Sequence, residues 1–153
     1  KYRIMAETGN IGAAIFYILE NDANTNAIYG RNIYPSISRV LTTSYPMVVY
    51  TLSDIAPTNT KTTPAAKGTS KLDVIQVQIA IFHDNYTDLI AGQNAVREAL
   101  DYVDGGNYPP TGSNIVKLQS CSFQDMRQDY IDDYDEMGLY VSYMDYQFRQ
   151  QRS

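Results

Sequence analysis

The sequence predicts an α+β domain: a mostly antiparallel β-sheet with two helices packed on one face, and a long loop or β-hairpin arm over residues 53–71. Three observations predict it. The stretch Leu72 to His83 puts Ile75, Val77, Ile79 and Ile81 on one face of a pleat, alternating with Gln76, Gln78 and Ala80, as a strand with one buried face requires. Just after it, Asn85 can cap a helix whose Leu89, Val96, Ala99, Leu100 and Val103 fall on one stripe at 3.6-residue spacing. The order helix, strands, helix, strands along the chain then favours segregated helices over alternating βαβ units.

Taken in order, residues 10–21 read as a helix with Ile11, Ile15, Ile18 and Leu19 on one stripe, capped by Asn10 or Thr8 and broken by Asn21, Asp22, Asn24 and Asn26. It is expected to pack beside the later helix. Residues 28–34 read as a short strand stopped by Pro35, and residues 47–52 as a second, apolar strand. Residues 53–71 hold Pro57, Pro64, Gly68, three lysines and many Ser and Thr, with almost nothing to enter a core. A connection this long is a disordered linker or an arm that orders on a neighbouring subunit. After the helix at 89–103, Gly105-Gly106 and Pro109-Pro110 make a turn. Residues 115–123 and 139–148 then read as two strands of an antiparallel hairpin around an acidic loop, Asp125 to Glu136.

Composition narrows function. At 153 residues the chain is expected to be one domain, 1–153, with a core that needs neither disulfide nor metal. The single cysteine, Cys121, excludes an internal disulfide and a cysteine-rich zinc site. No apolar run approaches a membrane span and no leader is evident, so a soluble, cytoplasmically made protein is expected; with Lys1 first, an initiator methionine is expected to have been removed or to lie outside this sequence. The net charge of −5 argues against binding nucleic acid through its phosphates. Fourteen tyrosines without tryptophan suit either subunit interfaces or strand surfaces.

No catalytic constellation emerges. His83 is the only histidine and no serine or cysteine stands beside it in a nucleophile context, so a structural role is expected. Cys121 reads as an inert thiol, and Gly105-Gly106 follows a helix instead of opening one around a phosphate. The acidic stretch, with Asp129, Asp132, Asp133, Asp135 and Glu136, lacks the spacing of a calcium loop and reads as a solvated tip or an interaction surface. Neither a metal nor a cofactor is expected. A free-standing ligand-binding or regulatory module remains an alternative for so small a two-layer domain.

Several short motifs in this order resemble one family. They are Ile28-Tyr29-Gly30-Arg31-Asn32-Ile33-Tyr34-Pro35, Tyr45-Pro46-Met47-Val48-Val49-Tyr50, the strand 77–82 running into the helix around 96–100, and Asp132-Asp133-Tyr134-Asp135 before the strand 139–148. The chain resembles the tail completion or tail terminator (head–tail joining) proteins of tailed bacteriophages. The resemblance implies a non-enzymatic virion protein, made in the host bacterial cytoplasm, that closes into a hexameric or dodecameric ring around the DNA channel. Its implied partners are portal, adaptor or tail-tube proteins, with the genome passing through unbound and no membrane involved. Thr58, Lys61, Thr63, Lys67 and Lys71 are the candidate arm toward a neighbouring subunit, and the acidic residues named above are the candidate channel or interface loop.

Overall fold

A computed structural model describes residues 11–35, 45–58, 72–101, 103, 105–110, 115–131 and 138–151. Among them three helices, α1 (Ile11–Asn21), α2 (Ala23–Tyr29) and α3 (Tyr86–Asp101), accompany six strands: β1 (Ile33–Pro35), β2 (Met47–Thr58), β3 (Leu72–His83), β4 (Gly106–Tyr108), β5 (Val116–Ile131) and β6 (Leu139–Gln151). The strands form one sheet in the order β1-β2-β3-β6-β5-β4. Every pairing is antiparallel except β1 with β2. The α+β expectation holds, with a third helix added.

β3 lies at the centre because its sequence allows it to be covered on one side and paired on both edges. Ile75, Val77, Ile79 and Ile81 are all buried, and the register places them beside Phe148, Tyr146, Met144 and Ser142 of β6. These side chains join Ile15, Leu19, Leu89, Val96 and Leu100 of the helices in one core cluster. The helices therefore lie on a single face. At about 1.5–3 kcal/mol for each fully buried large apolar side chain, this layer supplies most of the stability of the fold. Asn85 caps α3 as expected, its side-chain oxygen accepting from the N–H of Thr87 at 2.8 Å and of Asp88 at 3.3 Å.

Three expectations are corrected. Residues 28–34 are not one strand: Asp22, expected to end a helix, instead caps α2, its carboxylate accepting from the Thr25 N–H at 3.0 Å and the Thr25 hydroxyl at 2.9 Å. Thr25 is buried against α3, donating also to the Ala95 carbonyl at 3.4 Å, and that docking lets seven residues hold a helix they would not hold alone. β2 does not stop at Leu52. It continues to Thr58 because β3 offers a partner at every step, from Asp54 opposite Gln76 to Thr58 opposite Leu72, after a bulge at Ser53. The arm is thus a β-hairpin at its base, and residues 59–71 lie outside the described residues. Likewise the acidic stretch is strand as far as Ile131, paired to β6 down to Leu139, after bulges at Gln119 and Gln124.

Candidate functional site

The faces of the sheet follow from the registers. The helix-covered face carries Leu52 and Ile55 on β2, the stripe from Ile75 to His83 on β3, and Cys121, Phe123, Met126, Gln128 and Tyr130 on β5. No helix among the described residues packs on the other face. That face carries Asp54, Gln76, Gln78, Asp145, Gln147 and Arg149 across β2, β3 and β6, and Ser122, Asp125, Arg127 and Asp129 on β5. Gln76 and Gln147 hydrogen-bond there at 3.0 Å. Its central part carries amides and carboxylates, with Ala56 and Val74 toward the β3 N-terminus and the buried Met47, Ala80 and Val141 toward the β3 C-terminus.

Toward the sheet's margins the helix cover thins, with α3 reaching β5 through Gln93, which accepts from Gln128 at 2.7 Å, and through Arg97 over the Phe123 ring. β1 covers only residues 48–50 of β2, and β4 covers only residues 116–118 of β5. Beyond those short strands, residues 51–58 and 119–131 have no strand partner on their outer side among the described residues. Among the described residues, four of the five exposed large apolar side chains sit there: Leu52 (41%), Ile55 (39%), Met126 (38%) and Tyr130 (45%). All four belong to the helix-covered face. Open edges flanked by apolar side chains are templates for pairing with another chain.

Of the sequence-predicted arm residues, Thr58 closes the hairpin opposite Leu72, while Lys61, Thr63, Lys67 and Lys71 lie outside the described residues. Asp129 is exposed on β5 opposite Val141, and Asp132, Asp133, Asp135 and Glu136 lie outside the described residues. Register also settles where the two hairpins point. Leu72 pairs with Gln151 and His83 with Tyr140, so the arm leaves one end of the sheet and the acidic hairpin the other. Sequence reasoning missed Leu52, Ile55, Met126 and Tyr130 as surface residues. The signal was present in the apolar pair Leu52 and Ile55 standing among Ser53, Asp54 and Pro57.

His83 is buried at 1% exposure, with Nε2 at 2.6 Å from the Tyr29 hydroxyl and the rings edge-on at 5.3 Å. Burial lowers the imidazole pKa, against the opposing pull of Asp88 and Asp84, and raises that of the Tyr29 phenol. The pair is therefore a neutral hydrogen bond locking α2 to β3, as a structural histidine should be. Gly92 on α3 makes room for it, since a Cβ there would overlap the Tyr29 hydroxyl and stand 2.7 Å from His83 Nε2. Outside the pair, Ile28, Pro46, Asp84, Asp88 and Ala91 line a cleft of about 230 Å³. On β5, Cys121 is partly buried, and burial with Asp101 nearby pushes its thiol up to about 12. Among the described residues no group of three His, Cys, Asp or Glu side chains could hold a metal ion, and no helix is long and apolar enough to cross a membrane.

No protein-family model matches the chain, and no curated protein matches it in sequence. In structure it is similar to a chain from the virion of a native gene transfer agent particle, with a TM-score of 0.60 at 18% identity, covering 99% of each chain. What the two share is the fold. The likeness covers nearly the whole length of both chains.

Proposed function

We propose that the chain, folded as one tail-terminator-like domain over residues 1–153, is a structural subunit of a phage-like virion. It closes into a ring, hexameric or dodecameric, at the connection between head and tail. The observation that carries this reading is the fold shared over the whole length with a chain of a gene transfer agent virion. The open strand edges support it, because identical subunits joined head to tail close a ring when the rotation closes.

The face on which no described helix packs suits the lining of a channel for DNA. On its four long strands, Asp54, Asp125, Asp129 and Asp145 outnumber the cations Lys117, Arg127 and Arg149. A polyanion gains affinity from clustered Lys and Arg that displace its counterions, and a balanced to acidic wall lets it slide. In this reading Asp132, Asp133, Asp135 and Glu136 extend the acidic wall at one end. Thr58, Lys61, Thr63, Lys67 and Lys71 reach a neighbouring subunit or a portal, adaptor or tail-tube protein at the other. The subunit is made in the host cytoplasm, needs no cofactor and catalyses nothing.

The test is the absolute mass of the purified protein by light scattering over a concentration series, with negative-stain images of the largest species. Rings with a central hole are expected, and their mass counts the subunits. A monomer at every concentration, with portal or tail-tube protein of the same particle added, overturns the reading. Changing Asp132, Asp133 and Asp135 together to lysine should leave ring assembly intact and hinder DNA passage, and unchanged infectivity would count against an acidic channel.

A further inference from the structure

We infer that the two open edges of this sheet are the two halves of one interface, β2 of one copy pairing antiparallel with β5 of the next, with Ile55 opposite Met126 and Asp54 opposite Arg127. The inference rests on the ring reading and deepens it by naming the surface that joins the subunits.

Strand directions come first. β2 is antiparallel to β3, β3 to β6 and β6 to β5, so β2 and β5 run in opposite directions across the sheet. A second copy carried round by a rotation therefore presents its β5 antiparallel to the first copy's β2. Steric windows come next. β1 occupies the outer side of residues 48–50, and β4 that of residues 116–118, which among the described residues leaves 51–58 and 119–131 to pair. Without a shift along the strands, Asp54 is level with Gln147 and Ser122, and Thr58 with Gln151 and Lys117, so the neighbour's β4 would block the end of β2.

A shift that brings Asp54 level with Arg127 clears the neighbour's β4 and sets residues 51–58 against 122–129, with Tyr130 and Ile131 diverging beside β1. It moves the contact from Gln147 to Tyr143 on β6, which is four ladder positions, or about 13 Å at roughly 3.3 Å per residue. Sheets that close on themselves require a stagger of this kind. The same shift carries Ile55 from the level of Phe148 to that of Met144, whose partner is Met126. Because four is even, faces are preserved. Ile55 and Met126 meet on the helix-covered side, continuing the core from one copy to the next, and Asp54 meets Arg127 on the other side as opposite charges. Both members of each pair are exposed in the single chain.

The test uses the full chain with Cys121→Ser as background. Ile55→Cys combined with Met126→Cys should give a disulfide-linked ladder up to the full ring under mild oxidation, each single variant alone should give none, and the two singles mixed should give only linked pairs. Separately, Asp54→Arg or Arg127→Asp should weaken assembly about tenfold, and the double swap should restore most of it, with unchanged far-ultraviolet spectra showing that the fold persists. Rings that form without any such cross-link, and that ignore the charge swap, overturn this interface while leaving the ring reading standing. A wild-type chain that assembles only on a portal or tail-tube protein, with no cross-link between copies, overturns it as well.

Discussion

The middle of the sheet and its two margins are built from the same backbone pairing and put to opposite uses. Along β3 and β6 every second side chain is buried beneath the helices, and Ile75, Ile79, Tyr146 and Phe148 have no exposed surface. Along the outer parts of β2 and β5 the cover is thinner, with α3 reaching β5 mainly at Phe123 and Gln128, so Leu52, Ile55, Met126 and Tyr130 keep 38 to 45% of their surface in water. A strand's hydrogen bonds are indifferent to what covers it, whereas its apolar face is not. The centre therefore holds the fold together, and the margins carry the surface proposed above for joining copies.

Substitutions break that comparison in a graded way. Phe148→Ala should cost the most, about 4 kcal/mol of unfolding free energy in urea, since it empties a fully buried site in the core. Gly92→Ala comes next at about 2–3 kcal/mol, because the added Cβ drives into the Tyr29–His83 pair. That loss would be diagnostic, for the same change in an unconstrained helix gains up to about 1 kcal/mol. Asn85→Ala should cost about 1 kcal/mol by leaving the first N–H groups of α3 without their cap. At the margin, Ile55→Ala should change the unfolding free energy of the monomer by less than about 0.5 kcal/mol, while weakening self-association.

His83 gives a pH signature to the central region. Its folded pKa lies below the ordinary 6.5, so on acidification the unfolded chain takes up the proton first. Stability should accordingly fall as pH drops below about 6.5 toward the lowered folded value, and level off beneath that value as far as this one group is concerned. Urea midpoints between pH 7.5 and 5.5 check the sign. His83 is the only histidine, so His83→Gln should flatten the slope over this range, and a slope unchanged by that variant would show that another group drives it.

Legibility in the sequence followed the same division. The stripe from Ile75 to Ile81, the Asn85 cap and the helix after it could be read directly, because buried periodic side chains leave a pattern that only one secondary structure satisfies. α2 could not. Its sequence, ANTNAIY, is polar and asparagine-rich, and it is held by the Asp22 cap and by Thr25 docking on α3, 70 residues away. The far ends of β2 and β5 were illegible for a related reason. Ser53, Asp54, Gln124, Asp125 and Asp129 have no strand preference of their own and are extended because β3 and β6 run beside them. The partnership of His83 with Tyr29 spans 54 residues and left no local trace except a glycine, Gly92, on the apolar side of a helix.

By itself, then, the sequence determined the class of fold, the central strand and helix, the lack of a second cysteine for Cys121 to pair with in this sequence, and a net charge of −5. Those properties reside in single residues or in short-range periodicity. Only the tertiary structure decided that the bases of the arm and of the acidic hairpin lie at opposite ends of the sheet, that both edges lack a strand partner along much of their length among the described residues, and that their exposed apolar side chains share one face. Each of these depends on strand order and register, which are set by contacts between residues far apart in the chain and carried by no residue alone.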